Sequence, residues 1–453
     1  MPSPVPPTQV RIADVIDRAK VGRLQISLFV LCAACLILDG FDVQVVGYVA
    51  PTIFQEWGVP RSVLGNVLAA GNFGVLLGSL IFTMVADKVG RRPVLLGATV
   101  FFSLLTLATA RVSSVEQLTI VRFIAGIGLG CIIPNATALI GEYSPSRLRI
   151  TFMACISVGF TAGGALAGFV SAWLIPAFGW RAVFYFGGVT PLVIAAFMYV
   201  GLPESLQFLV LRKGDRRNVA RWLRRIDPDV PVGPEVEFVV REENKTGMPA
   251  FHLFREGRAA TTLLLWLINF MNIYNLYLLS GWLPTIASQL GYSAQTSVLI
   301  GTTLQVGGTL GTFWLTWFIS KWGFIPVLTT CFLVASASIA AIGQPGLALW
   351  VLVTVVFIAG SCVVGGQPTV NSMAAVYYPT YLRSTGIGWA LGIGRAGAIL
   401  GPWLVGRFVA ANWTVQDILY SAAIPALVSA VAMFALAWVM KPATAAPVDV
   451  VAH

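Results

Sequence analysis

Apolar stretches of about twenty residues recur from near residue 24 to near residue 440, separated by short polar segments. As a helix, each is long enough to cross a hydrocarbon core of about 30 Å. Twelve stretches are read, at 24–50, 62–86, 93–110, 116–141, 150–175, 181–202, 259–288, 296–319, 324–343, 347–375, 384–410 and 415–440. The pattern predicts an all-α membrane protein with twelve transmembrane helices. Residues 1–23 stay polar for too long, and lack the apolar core and small-residue site of a cleaved signal peptide, so the first span is expected to act as the membrane signal.

The chain also repeats itself. At an offset of 234, Phe123-Ile-Ala-Gly126 recurs as Phe357-Ile-Ala-Gly360, Pro134 as Pro368, Tyr143 as Tyr377, Leu148 and Arg149 as Leu382 and Arg383, and Gly163 as Gly397. At an offset of 233, Pro51-Thr-Ile53 recurs as Pro284-Thr-Ile286, and Lys88, Gly90 and Pro93 as Lys321, Gly323 and Pro326. Two six-span pseudo-repeats follow, 24–202 and 259–440, joined by a linker at 203–258 and flanked by tails at 1–23 and 441–453. Parallel repeats of this kind build carriers whose binding site near the bilayer midplane opens to either side in turn. Within the linker, residues 215–226 set Val219, Trp222, Leu223 and Ile226 on one helical face among five arginines. That is the design of a helix lying in the membrane surface, with a regulatory or partner contact as the alternative.

Composition agrees with the pattern. The chain is 57% hydrophobic and 11% charged, where a soluble domain carries about a quarter of its residues charged. With the N-terminus inside, the tails and the inner loops hold 23 of the 29 basic residues. Both termini are therefore expected in the cytoplasm, in a plasma or bacterial inner membrane. The net charge of +10 then reflects topology and anionic lipid headgroups, not nucleic acid. All six cysteines fall in apolar spans and the two histidines, His252 and His453, fall outside them, which supports neither a disulfide framework nor a metal site. No cofactor is expected beyond protons as coupling ion, and the chain is expected to work as a monomer in the bilayer.

Several segments carry a family resemblance that covers nearly the whole chain. Residues 78–93 (GSLIFTMVADKVGRRP) resemble the loop between spans two and three of the major facilitator superfamily, and 122–130 (RFIAGIGLG) resemble its span-four motif. More narrowly, LDGFDVQVVGYVAPTI at 38–53, PNATALIGEYSPSRLR at 134–149, PESLQFL at 203–209 and GIGRAGAILGP at 392–402 together resemble the aromatic acid:proton symporters. The resemblance implies the major facilitator fold and import of a small aromatic carboxylate, such as a benzoate or hydroxybenzoate. The chain departs from the superfamily pattern at Thr83, where a small residue is usual, and at Ser320, the second-half counterpart of Asp87.

Charges inside spans single out the candidate chemistry, because each costs about 2.5–3.5 kcal/mol at the bilayer centre. Asp39 and Asp42 lie one turn apart on one face of span one, beside Gly40. A proton-coupling role is expected for the pair, with capping of a broken helix as the structural alternative. Arg395, near the middle of span eleven, keeps its charge at physiological pH. It is expected either to grip the substrate carboxylate, with Asp39 or Asp42 as resting counter-ion, or to sit in a permanent structural pair. Asp39 and Asp42 plus 233 land on Asn272 and Asn275, so protons are assigned to the first half and polar substrate groups to the second. Tyr274, Gln367, Asn371 and Trp389 complete the candidate substrate set, with interhelical hydrogen bonds as the alternative for each; Asn275 and Gln367 are the preferred contacts. Asp87, Arg91, Arg92, Arg122 and Glu142 form the candidate gating set, Asp87 reaching Arg149 or Arg383, and Arg122 serving either a structural pair or a proton relay.

Gly392-Ile-Gly-Arg-Ala-Gly397 spells a dinucleotide fingerprint but lies inside an apolar span with no preceding strand, so packing is expected of it, as of Gly159, Gly163, Gly164 and Gly168. The competing readings are a carrier of another organic anion, an efflux carrier, and a membrane receptor for aromatic acids. With no nucleophile and base arrangement in the spans, an enzyme is not expected.

Overall fold

A computed structural model of the protein describes residues 8–211, 216–231, 233, 236–239, 252–255, 257–378 and 380–439. The expected C-terminal tail at 441–453 lies outside the described residues. Among the described residues, eleven helical stretches are long and apolar enough to cross a membrane. They match expected spans one to ten and twelve. A further helix, Thr380–Ala410, stands in the place of span eleven.

The first half runs through α1 (Ile12–Arg18), α2 (Arg23–Trp57), α3 (Val63–Val89), α4 (Arg91–Thr109), α5 (Val115–Leu129), α6 (Ile132–Tyr143), α7 (Ser146–Phe178) and α8 (Trp180–Gly201). The linker contributes α9 (Leu206–Leu211) and α10 (Arg216–Ile226). The second half follows as α11 (Ala259–Gln289), α12 (Ala294–Trp322), α13 (Phe324–Ile342), α14 (Leu349–Val363), α15 (Gly366–Tyr377), α16 (Thr380–Ala410) and α17 (Val415–Val439). Spans four and ten are each broken into two helices. The cause is legible: Pro134 and Pro368 sit in the first turn of α6 and α15, where a missing N–H is harmless but the preceding turn cannot continue.

Two compact units form. One comprises residues 1–245 with 280–306 and 402–411, and the other 246–279, 307–401 and 412–453. Besides a cut in the linker between 245 and 246, the boundary crosses α11, α12 and α16. Glycine explains why in the first unit, because a β-carbon on Gly47 would sit 2.8 Å from the Gly281 carbonyl and one on Gly65 would sit 2.8 Å from that of Pro402. Trp282 Nε1 adds a bond to the Pro402 carbonyl at 3.0 Å.

Within the first unit α2 and α7 interlock. Any side chain on Gly40 would overlap the Phe160 backbone, and any on Gly163 would overlap Ile37. Small residues let backbones approach and so maximise dispersion contact where lipid supplies no hydrophobic drive. In the second unit the same relation recurs between α11 and α16, where a β-carbon on Gly397 would lie 2.5 Å from the Phe270 carbonyl. Of the fingerprint-like glycines of α16, Gly394 and Gly397 are thus packing positions, whereas a β-carbon on Gly392 would meet open space.

Among the described residues before the first span, 8–18 form a strand and a short helix. Strand β1 (Thr8–Arg11) pairs in parallel with β2 (Val236–Val239) in the linker, Thr8 opposite Val236 and Arg11 opposite Val239. This corrects the reading of α10 as a surface helix facing lipid. Val219 and Leu223 are buried in one apolar cluster with Ile12, Val15 and Ile16 of α1 and Leu206 of α9. The protein itself covers the apolar face of α10, and Arg221 and Arg225 stack on Trp222 at its margin.

Candidate functional site: a buried ion pair and an amide cluster

Asp42 lies past the middle of α2, and its side chain is fully buried. Arg122, in the second turn of α5, meets it bidentately: Nη2 donates to Oδ2 at 2.5 Å and Nη1 to Oδ1 at 3.2 Å. Nη2 also donates to the Asp42 backbone carbonyl at 3.1 Å. Thr106 of α4 donates its hydroxyl to Oδ1 at 2.5 Å. Three helices thus converge on one carboxylate. A planar guanidinium suits this fork, and charge-assisted bonds gain strength away from water.

This corrects one expectation: Arg122, not Arg395, neutralises Asp42. For Arg122 itself the pair is the structural alternative that its position left open. Span order along the chain does not reveal which helices touch, so the partner was out of reach of sequence reasoning. Asp39, one turn before Asp42, is likewise buried. Cys35, a further turn back, meets the Thr99 hydroxyl of α4 at 3.5 Å.

Arg395, on α16, is half-buried and reaches the Tyr277 hydroxyl at 3.4 Å. Among the described residues it forms no ion pair. Tyr274 is half-buried nearby on α11, its backbone close to Gly397 and Gly401. Trp389 is 49% exposed, and one face of its ring is stacked on Trp266 at 5.8 Å between centroids.

Four amides of the second unit form one connected cluster. Asn272 donates to Gln367 Oε1 at 2.7 Å and Gln367 Nε2 donates to Asn269 Oδ1 at 3.1 Å. Asn269 and Gln367 both donate to Asn371 Oδ1, at 3.2 and 3.3 Å. Asn272 also donates to the Val363 carbonyl at 3.1 Å, at the break between α14 and α15.

Asn275 is not part of it, which corrects its place among the preferred substrate contacts. With the amide set to satisfy both ends, its nitrogen donates to the Ala422 carbonyl at 2.9 Å and its oxygen accepts from Ala426 N–H at 3.1 Å. Both partners flank Pro425 inside α17, where proline interrupts the helical ladder and leaves backbone groups to be satisfied by a neighbour.

A second polar cluster sits where α4 begins. Arg91 pairs with Glu142 of α6, and Ser205 donates to the other Glu142 oxygen at 2.5 Å. Glu204 Oε1 accepts from the backbone N–H groups of Arg91 and Arg92 at 2.9 and 3.2 Å, closing the start of α4. Arg92 donates to the Tyr199 carbonyl at 2.5 Å. Gly90 has φ of 109°, which favours glycine, and a side chain there would also displace the Glu204 carboxylate from its bonds. Asp87 is exposed and forms no ion pair among the described residues. Arg149 bonds the Ser144 carbonyl at 3.4 Å instead, and the Arg383 side chain lies outside the described residues. Sequence reasoning missed Glu204 and Thr106. The only sign of Glu204 was an acid set directly after proline opposite a basic loop, and Thr106 resembled any helical threonine.

Residues 32–225 and 265–452 match the Major Facilitator Superfamily. The 4-hydroxybenzoate transporter of Pseudomonas putida is 37% identical over 93% of this chain and 94% of its own length. The gallate transporter of Pseudomonas putida is 36% identical over 94% and 95%. The benzoate transport protein of Acinetobacter baylyi is 30% identical over 94% and 92%. Among solved structures, the D-xylose-proton symporter matches with a TM-score of 0.70 at 16% identity, covering 91% of this chain and 97% of that one. A bacterial homologue of the lysosomal transporter Spinster, inward-facing and occupied, matches with a TM-score of 0.72 at 17% identity, over 94% and 100%. Fold, duplicated sequence and relatives agree: the chain belongs to the Major Facilitator Superfamily, a family of transporters and not of enzymes, and within it to the aromatic acid transporters.

Proposed function

We propose that the protein imports a small aromatic carboxylate of the hydroxybenzoate type together with a proton, by alternating access, as a monomer with both termini in the cytoplasm. One observation carries the proton coupling: a fully buried Asp42–Arg122 pair with a second buried acid, Asp39, one turn away. A proton arriving at this site neutralises a carboxylate and loosens the hold of the guanidinium, so the pair changes strength with each transport cycle. Arg395 takes the substrate carboxylate, because a fixed cation that finds only a long bond to Tyr277 among the described residues suits an incoming anion. The cluster of Asn269, Asn272, Gln367 and Asn371 takes the ring hydroxyl, since amides both donate and accept and so match a phenol in either sense. The resemblance in sequence to transporters of 4-hydroxybenzoate and gallate supports the same substrate class.

The test is uptake of labelled 4-hydroxybenzoate, gallate and benzoate into cells expressing the protein, with and without a protonophore. Accumulation of the hydroxylated acids that collapses with the protonophore is expected. Accumulation indifferent to it removes the coupling, and no uptake of any aromatic acid removes the substrate class. Arg395→Lys should raise the substrate concentration for half-maximal uptake about tenfold or more at normal surface expression, since Lys cannot reproduce the fork.

A further inference from the structure

Four hydroxyls of α4, on Thr99, Ser103, Thr106 and Thr109, are buried at helical spacing. Each donates to the carbonyl one turn back: Thr99 to Leu95 at 2.8 Å, Ser103 to Thr99 at 2.5 Å, Thr106 to Phe102 at 2.9 Å and Thr109 to Leu105 at 2.9 Å. This is the ordinary way for a hydroxyl to be satisfied inside a membrane helix. Thr106 differs from the other three in facing a carboxylate as well, Asp42 Oδ1 at 2.5 Å. Both of its neighbours accept, yet a hydroxyl has one proton to give. In any one state it serves Asp42 or Phe102.

We propose that Thr106 is a positioning residue for proton coupling, a hydroxyl that reverses direction with the charge of Asp42. While Asp42 is ionised, the Thr106 proton points to Oδ1. When a proton binds at Oδ1, the carboxylic acid O–H donates to Thr106 Oγ1, and the Thr106 proton swings to the Phe102 carbonyl. Both hydroxyl protons keep one acceptor throughout, and Arg122 keeps its Nη2 bond to Oδ2 while the longer Nη1 bond to Oδ1 weakens. The two states do not depend on Thr106 equally. The ionised carboxylate already takes Arg122 on both oxygens. The neutral acid has a new buried proton to place, and Thr106 is the hydroxyl that receives it.

Other groups near Asp42 leave this assignment intact. On its own helix stand Asp39 and Cys35; α5 offers Arg122; α6 has Cys131 at its start, near Asp39. The charged residues of α4, Arg91 and Arg92, are engaged at its far end, and Arg111 just past its other end bonds Tyr185 of α8 at 3.0 Å. The packed part of α7 carries the Thr161 hydroxyl and no acid or base beyond the exposed Cys155.

The inference rests on the proposed protonation of Asp42, and the experiment separates the two. Proton-driven uptake is measured against external pH for Thr106→Val, Thr106→Ser, Thr106→Ala and Asp42→Asn, with substrate exchange across the membrane, which needs no net proton movement, reporting intact protein. Removing the hydroxyl orphans the acid proton. The pH of half-maximal uptake should therefore move about one unit acidic in Thr106→Val, corresponding to roughly tenfold more protons. Thr106→Ser should restore the original profile, and Thr106→Ala carries the same expectation as valine if that variant does not insert. An unshifted valine or alanine profile, or a serine variant shifted as far as they are, overturns the role of Thr106. If Asp42→Asn keeps gradient-driven uptake with an unaltered profile, the protonation of Asp42 itself fails.

Discussion

The two halves of this duplicated chain hold the same scaffold and opposite chemistry. Asp42, Thr106 and Arg122 of the first half correspond, at offsets of 233, 233 and 234, to Asn275, Ile339 and Val356 of the second. A fully buried acid, its hydroxyl and its cation have an amide and two buried aliphatics as their counterparts in the repeat. The charge and its supports differ as a set, as electrostatics demands, because a lone buried ion is far costlier than a pair or none. Freed from an ion pair, Asn275 serves the backbone around Pro425. The cluster at the start of α4 follows the same rule: Arg91 and Glu142 correspond to Phe324 and Val376. The repeat carries the scaffold twice, while among these matched positions the ion pairs stand in the first half alone.

The sharpest way to break the comparison is to convert one half toward the other. Arg122→Val alone leaves Asp42 buried without its counter-ion, and a loss of about 3–5 kcal/mol is expected, read as protein missing from the membrane. Asp42→Asn combined with Arg122→Val copies the second half and should recover most of the thermal stability in detergent, while proton-driven uptake stays abolished. A double variant as unstable as the single one would mean that the pair is not what the first half is built around.

Next in size is Glu204→Ala, which strips the N-terminus of α4 of its acceptor. A loss of about 1–3 kcal/mol is expected from the orphaned Arg91 and Arg92 amides, measured as a lower unfolding temperature, with substrate affinity unchanged. Gln367→Ala should act on the other side of the comparison, raising half-saturation for a hydroxylated acid about tenfold while leaving benzoate and the pH profile alone. Equal effects on both substrates would detach the amide cluster from the ring hydroxyl. The smallest effect belongs to Asp87→Asn. Turnover should fall by less than about fivefold, the reach of an exposed charge, with half-saturation unmoved.

The spans and the repeat were legible because membrane helices announce themselves by length and apolarity, and because proline and glycine recur wherever the backbone breaks or crowds. Asp39, Asp42, Arg122 and Arg395 were legible as costly intramembrane charges. Their partners were not. The pairing of α2 with α5 is set by packing between helices distant in sequence, so sequence leaves unseen that Arg122 holds Asp42, one of the two acids expected opposite Arg395. Asn275 looked like a ligand because its place in the repeat matched Asp42, while the proline that claims it lies in α17. The arginine-rich face of α10 read as a membrane surface helix, since amphipathicity alone does not say whether lipid or protein covers the apolar side. Thr106 needed the observation that two acceptors contend for one hydrogen.

The pairing of β1 with β2 bears on how the chain is made. Strand β1, Thr8–Arg11, finds its partner only at Val236–Val239, after the entire first half has been synthesised. Until then Ile12, Val15 and Ile16 have no α10 to cover. Residues 8–18 can therefore complete their contacts only once biosynthesis has passed into the linker.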